Sequence, residues 1–145
     1  MTVADFEKAL ACLLAWREER SNQINGMLGV LFVVRNRAKA GWENGDWIRI
    51  ISAHNQFSSM SGLDDSQTVM YPDQRDPQFL QFLQILQMVD SVYDDTRKDL
   101  LTNGALYYAD LGKGVTHGGW FQRNIVQQPA LHPRTAQIGT TSYFK

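Results

Sequence analysis

The chain has 145 residues, 43% of them apolar and 20% charged, the profile of one soluble globular domain able to bury roughly 68–70% of its unfolded surface. Fourteen Lys and Arg against fifteen Asp and Glu leave a net charge of −1, and the basic residues are scattered, which argues against a nucleic-acid partner. The longest apolar stretch, Met27 to Val34, is too short to insert in a membrane, and a lone cysteine, Cys12, allows no internal disulfide and reads as a small core residue.

From Thr2 the apolar residues Val3, Phe6, Leu10, Leu13 and Leu14 recur at helical spacing, and Thr2 with Asp5 forms the pattern of a capping box. This predicts a first helix reaching Glu19 or Arg20. Asn25-Gly26 then marks a new start, followed by a helix apolar on nearly all faces, with Lys39 in its last turn and Gly41 as its C-cap. Such a helix belongs in the middle of the fold. Asp46 caps a short helix through Trp47, Ile48, Ile50 and Ile51, after which 55–73, rich in Ser, Asp and Gly, reads as a long loop.

Asp76-Pro77 opens a third long helix, on which Phe79, Phe82, Leu83, Leu86, Val89 and Tyr93 follow at three- and four-residue steps. After Asn103-Gly104 the pattern changes. Ala105 to Ala109 and Thr140 to Phe144 are short, aromatic or β-branched, and predict a small hairpin or sheet. No repeat or linker divides the chain, so the expected fold is α+β, mainly helical, in a single domain spanning 1–145.

Among the polar residues, Glu18 has the surroundings of a proton donor. It follows Trp16 near the end of the first helix, where a side chain can face a cleft and desolvation disfavours the charged form. Raising a carboxyl by about two units costs about 2.7 kcal/mol, which a small domain tolerates. Read from the local sequence alone, Glu18 is more often a solvated helix-end charge. Adjacent helical residues point about 100° apart, so Glu19 is expected outside a narrow cleft that Glu18 faces. His54, His117 and His132 show no metal-ligand spacing, and no phosphate loop or nucleophile elbow is present, so neither metal nor cofactor is expected.

Glu18-Glu19-Arg20, Gly26, Asn36-Arg37, Gln56-Phe57-Ser58, Gly104-Ala105-Leu106-Tyr107-Tyr108 and Ile138-Gly139 stand in one order and spacing. Together they resemble the cell wall hydrolases of the SleB type, the spore-cortex-lytic family, whose catalytic domain is related to goose-type lysozymes and lytic transglycosylases. The resemblance implies a lysozyme-like fold and Glu18 as the acid, because Arg20, Gly26 and Asn36-Arg37 occupy the family's offsets from that residue. It also implies that Gln56, Phe57, Ser58, Tyr107, Tyr108 and Trp120 bind the glycan. Strand alternation would turn one of the two tyrosines inward and the other outward.

Two positions depart from the family pattern. Asn22 stands where a second Glu is common, and Thr141 where a His follows the final Ile-Gly. Without that second Glu, Asp64 and Asp65 are the remaining loop carboxylates, and both also read as turn residues.

The resulting expectation is a peptidoglycan-degrading enzyme that cleaves the MurNAc-GlcNAc β-1,4 bond with Glu18 as general acid and base. Lytic transglycosylation to 1,6-anhydro products is favoured, with muramidase-type hydrolysis as the alternative. A non-catalytic glycan-binding or virion structural domain of the same fold is the rival from another class. With no basic and apolar leader and no wall-binding module in view, the chain suits a phage or prophage lysin. It would be made in the bacterial cytoplasm and delivered to the wall through a holin or a virion.

Overall fold

The structure, a computed structural model, describes residues 1–53, 56–62, 65–111 and 119–145. Five helices come first: α1 (Val3–Glu19), α2 (Gln23–Lys39), α3 (Trp47–Ser52), α4 (Ser58–Ser61) and α5 (Phe79–Tyr93). Three strands follow, β1 (Tyr107–Asp110), β2 (Arg134–Ile138) and β3 (Thr141–Phe144), in an antiparallel sheet of order β1-β3-β2. The protein is therefore mainly helical α+β, with a small sheet in its C-terminal part.

Three of the caps act as the residue types dictate, whereas Asp76-Pro77 does not open the third long helix, since α5 begins at Phe79 with Gln78 at its cap position. Thr2 accepts from the Asp5 amide while the Asp5 carboxylate accepts from the Thr2 amide, so the first turn of α1 is closed from both sides. Asp46 accepts from the Arg49 amide at the start of α3. Gly41, at φ +89°, follows the end of α2 in the left-handed conformation that a Cβ disfavours.

Helices α1, α2 and α5 enclose the larger core, around Leu14, Trp16, Met27, Leu31, Ile85 and Val92. Cys12 lies fully buried in it, and burial pushes its thiol up to about 12, so it is an inert small hydrophobe. A smaller cluster of Val33, Ala105 and Tyr143 joins the sheet to α2. No helix among the described residues is long and apolar enough to cross a membrane.

Four features differ from the sequence pattern. Helix α2 begins at Gln23, so Gly26 lies inside it and not at its start. Residues 56–70, expected as loop, contain α4 and a 3₁₀ turn, Ser66–Val69. The polar strand β2 has no apolar alternation to reveal it and is recruited by pairing with β3, whose four residues are all buried. The apolar stripes are also rotated: Val3 and Phe6 of α1 and Leu83 and Leu86 of α5 are exposed, while Ala11, Ala15, Ile85 and Val92 face inward. Helix ends and partner shape choose among several apolar faces, which periodicity alone does not.

Gly29 marks where α2 meets the sheet. A Cβ there would lie 2.3 Å from the Tyr143 hydroxyl oxygen and 3.2 Å from Ile138 Cδ1. Gly29→Ala is expected to cost about 1–3 kcal/mol through overpacking, despite the better helix propensity of Ala. Urea unfolding midpoints check this, and Tyr143→Phe in the same chain should recover part of the loss, because it removes the clashing oxygen.

Candidate active site

Where the C-terminal end of α1 meets the sheet, a cleft of about 820 Å³ opens between the helical body and β1 and β3. Glu18, Gln56, Phe57, Ser58, Tyr107, Tyr108 and Trp120 all line it, together with Glu19, Asn22, Arg37, Trp42, Asp110 and Thr141. The tyrosines do not divide as strand alternation predicts, since both contribute to the wall. Tyr107 lies edge-on to Trp42 and His132, while Tyr108 stacks against Phe57 at 6.1 Å between ring centres.

Glu18 stands in the last turn of α1, half-buried, and accepts a hydrogen bond from Ser59 Oγ at 2.8 Å. Burial raises its carboxyl to about 7; the Ser59 bond opposes this, and the charges of Asp65 and Glu19 add to it. Near neutral pH a substantial fraction of Glu18 therefore carries a proton to give. Ser59 was not legible as a site residue. It is placed by Arg17, which is buried and donates to the carbonyls of Ser59 (3.0 Å), Thr68 (3.1 Å) and Met70 (2.9 Å), fastening α4 and the following turn against α1.

Glu19 corrects an expectation. It lines the cleft and does not point away from it, although only 4% of its surface is exposed. The reason is local: Glu19 ends the helix with φ −136° and ψ 15°, so the 100° spacing of a regular helix no longer applies to its side chain. Thr141 Oγ1 donates to its Oε1 at 2.6 Å, and Asn22 Nδ2 donates to its Oε2. Burial raises the Glu19 carboxyl above its ordinary value, against the pull of these two bonds. The two departures from the family pattern thus meet on one carboxylate.

The Asn36-Arg37 pair holds the cleft's aromatic wall. Asn36 Nδ2 donates to the Ala105 carbonyl at 3.0 Å and Arg37 Nε to the Leu106 carbonyl at 2.7 Å, which fixes the chain just before Tyr107. The Arg37 guanidinium lies over Trp42 and Phe57, 4.5 and 4.9 Å from the ring centres, and burial lowers it to about 10. Its Nη1 and the Tyr108 hydroxyl are buried without a partner among the described residues, leaving two polar groups in the cleft wall unsatisfied.

At the rim Trp120 is 61% exposed, an open indole face of the kind on which sugar rings pack. Asp65 lies outside the cleft lining. It accepts from Ser58 Oγ and the Gln67 amide and caps the Ser66–Val69 turn, while Asp64 falls outside the described residues. His54 and His117 also fall outside them. His132 hydrogen-bonds the Lys145 carbonyl, and no group of three or more His, Cys, Asp or Glu among the described residues is arranged to hold a metal ion. No protein-family model, curated protein or solved structure matches this chain.

Proposed function

We propose that this protein cleaves the β-1,4 bond between N-acetylmuramic acid and N-acetylglucosamine in bacterial peptidoglycan, with Glu18 as the proton donor. The observation that carries the reading is a carboxyl raised to about 7 inside a cleft walled by Phe57, Tyr107, Tyr108 and an exposed Trp120. A glycosidic oxygen is a poor leaving group, and a carboxylic acid still protonated near neutral pH supplies what it lacks. Glu18 gives its proton to the O4 of the departing N-acetylglucosamine. The muramyl C1 is then captured by its own 6-hydroxyl or by water.

The wall chemistry suits an uncharged, amide-bearing sugar polymer. Aromatic faces pack on pyranose rings, and Gln56 offers an amide at the cleft edge. The rival, a non-catalytic glycan-binding or virion structural domain, would treat Asn22 and Thr141 as losses of catalytic residues. Both side chains are instead engaged on Glu19.

Incubation of the protein with purified sacculi tests the proposal. Turbidity should fall, and mass spectrometry should find soluble disaccharide-peptides cut between muramic acid and glucosamine. Intact sacculi that bind the protein without releasing fragments would establish the rival instead.

A further inference from the structure

We infer that Glu19 is a second catalytic carboxylate of this cleft, held by Asn22 and Thr141 to take a proton from a water molecule that attacks muramyl C1, so that cleavage is hydrolytic. The inference rests on the proposed glycan cleavage and names the group that completes it.

The two neighbouring glutamates are tied to different walls. Glu18 is bound to Ser59 on α4, and Glu19 to Thr141 on β3 and to Asn22 in the turn after α1. Adjacent in sequence, they are held by partners on different elements, and the helix geometry breaks at Glu19. One carboxyl therefore serves the helical side of the cleft and the other the sheet side. Acid and base in glycoside hydrolysis need to flank the scissile bond in such a manner.

Motif residues that stand far apart in sequence converge on the seat of Glu19. A Cβ on Gly26 would lie 2.6 Å from Asn22 Cβ and 3.2 Å from Glu19 Oε2, and a Cβ on Gly139 would lie 2.4 Å from Asn22 Oδ1. Gly139 has φ +57° in the turn between β2 and β3, so a side chain there is excluded by both space and backbone. Asn22 packs between two glycines, and because a carboxylate only accepts, its amide nitrogen is the atom that faces Glu19. Four positions, 22, 26, 139 and 141, thus fix one carboxylate.

That carboxylate is not balanced by a cation: Glu19 takes part in none of the ion pairs among the described residues. Burying an acid on neutral donors alone costs stability that an apolar residue would not, and such an acid facing a cleft is a mark of chemistry. Two neutral donors favour its ionised form, against one for Glu18, which separates the two groups into base and acid. Each Glu19 oxygen accepts one bond and keeps a further lone pair for water.

The step balances. The water oxygen bonds to C1 as the C1–O4 bond breaks, Glu18 passes its proton to O4, and Glu19 receives the proton leaving the water. Exchange with solvent then returns Glu18 to the acid and Glu19 to the carboxylate, with one water consumed. Among the described residues that line the cleft, Asp110 on β1 is a further carboxylate, and it accepts from Thr140 Oγ1 at 2.8 Å.

Digestion of sacculi in ¹⁸O-labelled water, read by mass spectrometry, tests the assignment on the wild type and on Glu19→Gln, Asp110→Asn, Thr141→Val and Thr141→Ser. The wild type should release reducing-end muramic acid with one labelled oxygen at C1. Glu19→Gln should lose at least about 10²-fold in rate, with residual product shifted to 1,6-anhydro ends. Thr141→Val should lose roughly 10-fold or more and Thr141→Ser much less, since only the hydroxyl's bond to a charged group is at stake. Asp110→Asn, whatever its rate, should still place the labelled oxygen at C1.

An active wild type that yields 1,6-anhydro ends, or a Glu19→Gln variant with wild-type rate and products, overturns this inference and leaves the proposed function standing. Loss of labelled product in Asp110→Asn alone overturns it in favour of Asp110. A wild type that releases nothing overturns both. Melting curves identify any variant that fails to fold, in which case the contrast between Thr141→Val and Thr141→Ser decides.

Discussion

Glu18→Gln is expected to reduce the release of soluble fragments from sacculi by at least about 10²–10⁴-fold, because the amide keeps the shape of the side chain but gives no proton. The wild-type rate should fall as pH rises through about 7, where Glu18 ionises and the donor disappears. Stability provides an independent check on the same group. Below about pH 4.5 the carboxyl is protonated in folded and unfolded chains alike, so it adds no pH dependence.

Between 4.5 and about 7 the unfolded chain releases the proton while the folded chain retains it, and stability is progressively lost. At about 1.36 kcal/mol per unit the loss is on the order of 3 kcal/mol above pH 7. Gln escapes it. The variant should therefore melt at a higher temperature than the wild type at pH 8 and at nearly the same temperature at pH 4. Equal melting temperatures at both pH values would show that Glu18 is not the desolvated acid described.

The second large effect concerns Arg17. Arg17→Met is expected to destabilise the fold by about 3–5 kcal/mol in urea titrations, since it removes the donors of three carbonyls held by a single buried guanidinium. Tyr71, whose ring lies 4.8 Å from the Arg17 guanidinium carbon, loses its packing partner as well. Arg17→Lys should recover little, because one ammonium cannot span carbonyls that a planar fork reaches together. In either variant α4 is released from α1, so the Ser59 bond to Glu18 loosens and the pH limb near 7 should shift. An Arg17→Met protein of wild-type stability would refute this account of the helix-to-turn clamp.

The long helices were readable because their apolar spacing and caps act locally; Thr2, Asp5, Asp46 and Gly41 behave in the structure as their side chains dictate. Glu18 and the aromatic positions, singled out in the sequence by offset and order, line one cleft. Glu19 departs from the expectation for a physical reason: regular helix geometry ends just before it, at φ −136° and ψ 15°. Ser59, Asp110 and the convergence of Asn22 and Thr141 on Glu19 have no local signal, because each gains meaning only when separate segments meet. Strand β2 escapes sequence reading for the same reason: Arg134, Thr135 and Gln137 show no apolar alternation, and the strand is defined by its pairing with β3 across an irregularity between Arg134 and Ala136.

The hydrogen bond between Thr141 and Glu19 joins residues 122 positions apart. The entropy lost in closing so long a loop is recovered only when the whole sheet docks, whereas α1 and α2 are neighbours in sequence and pack with much shorter closures. The sheet wall opposite Glu18 and Glu19 therefore depends on this long closure, and a chain whose sheet has not docked lacks the cleft.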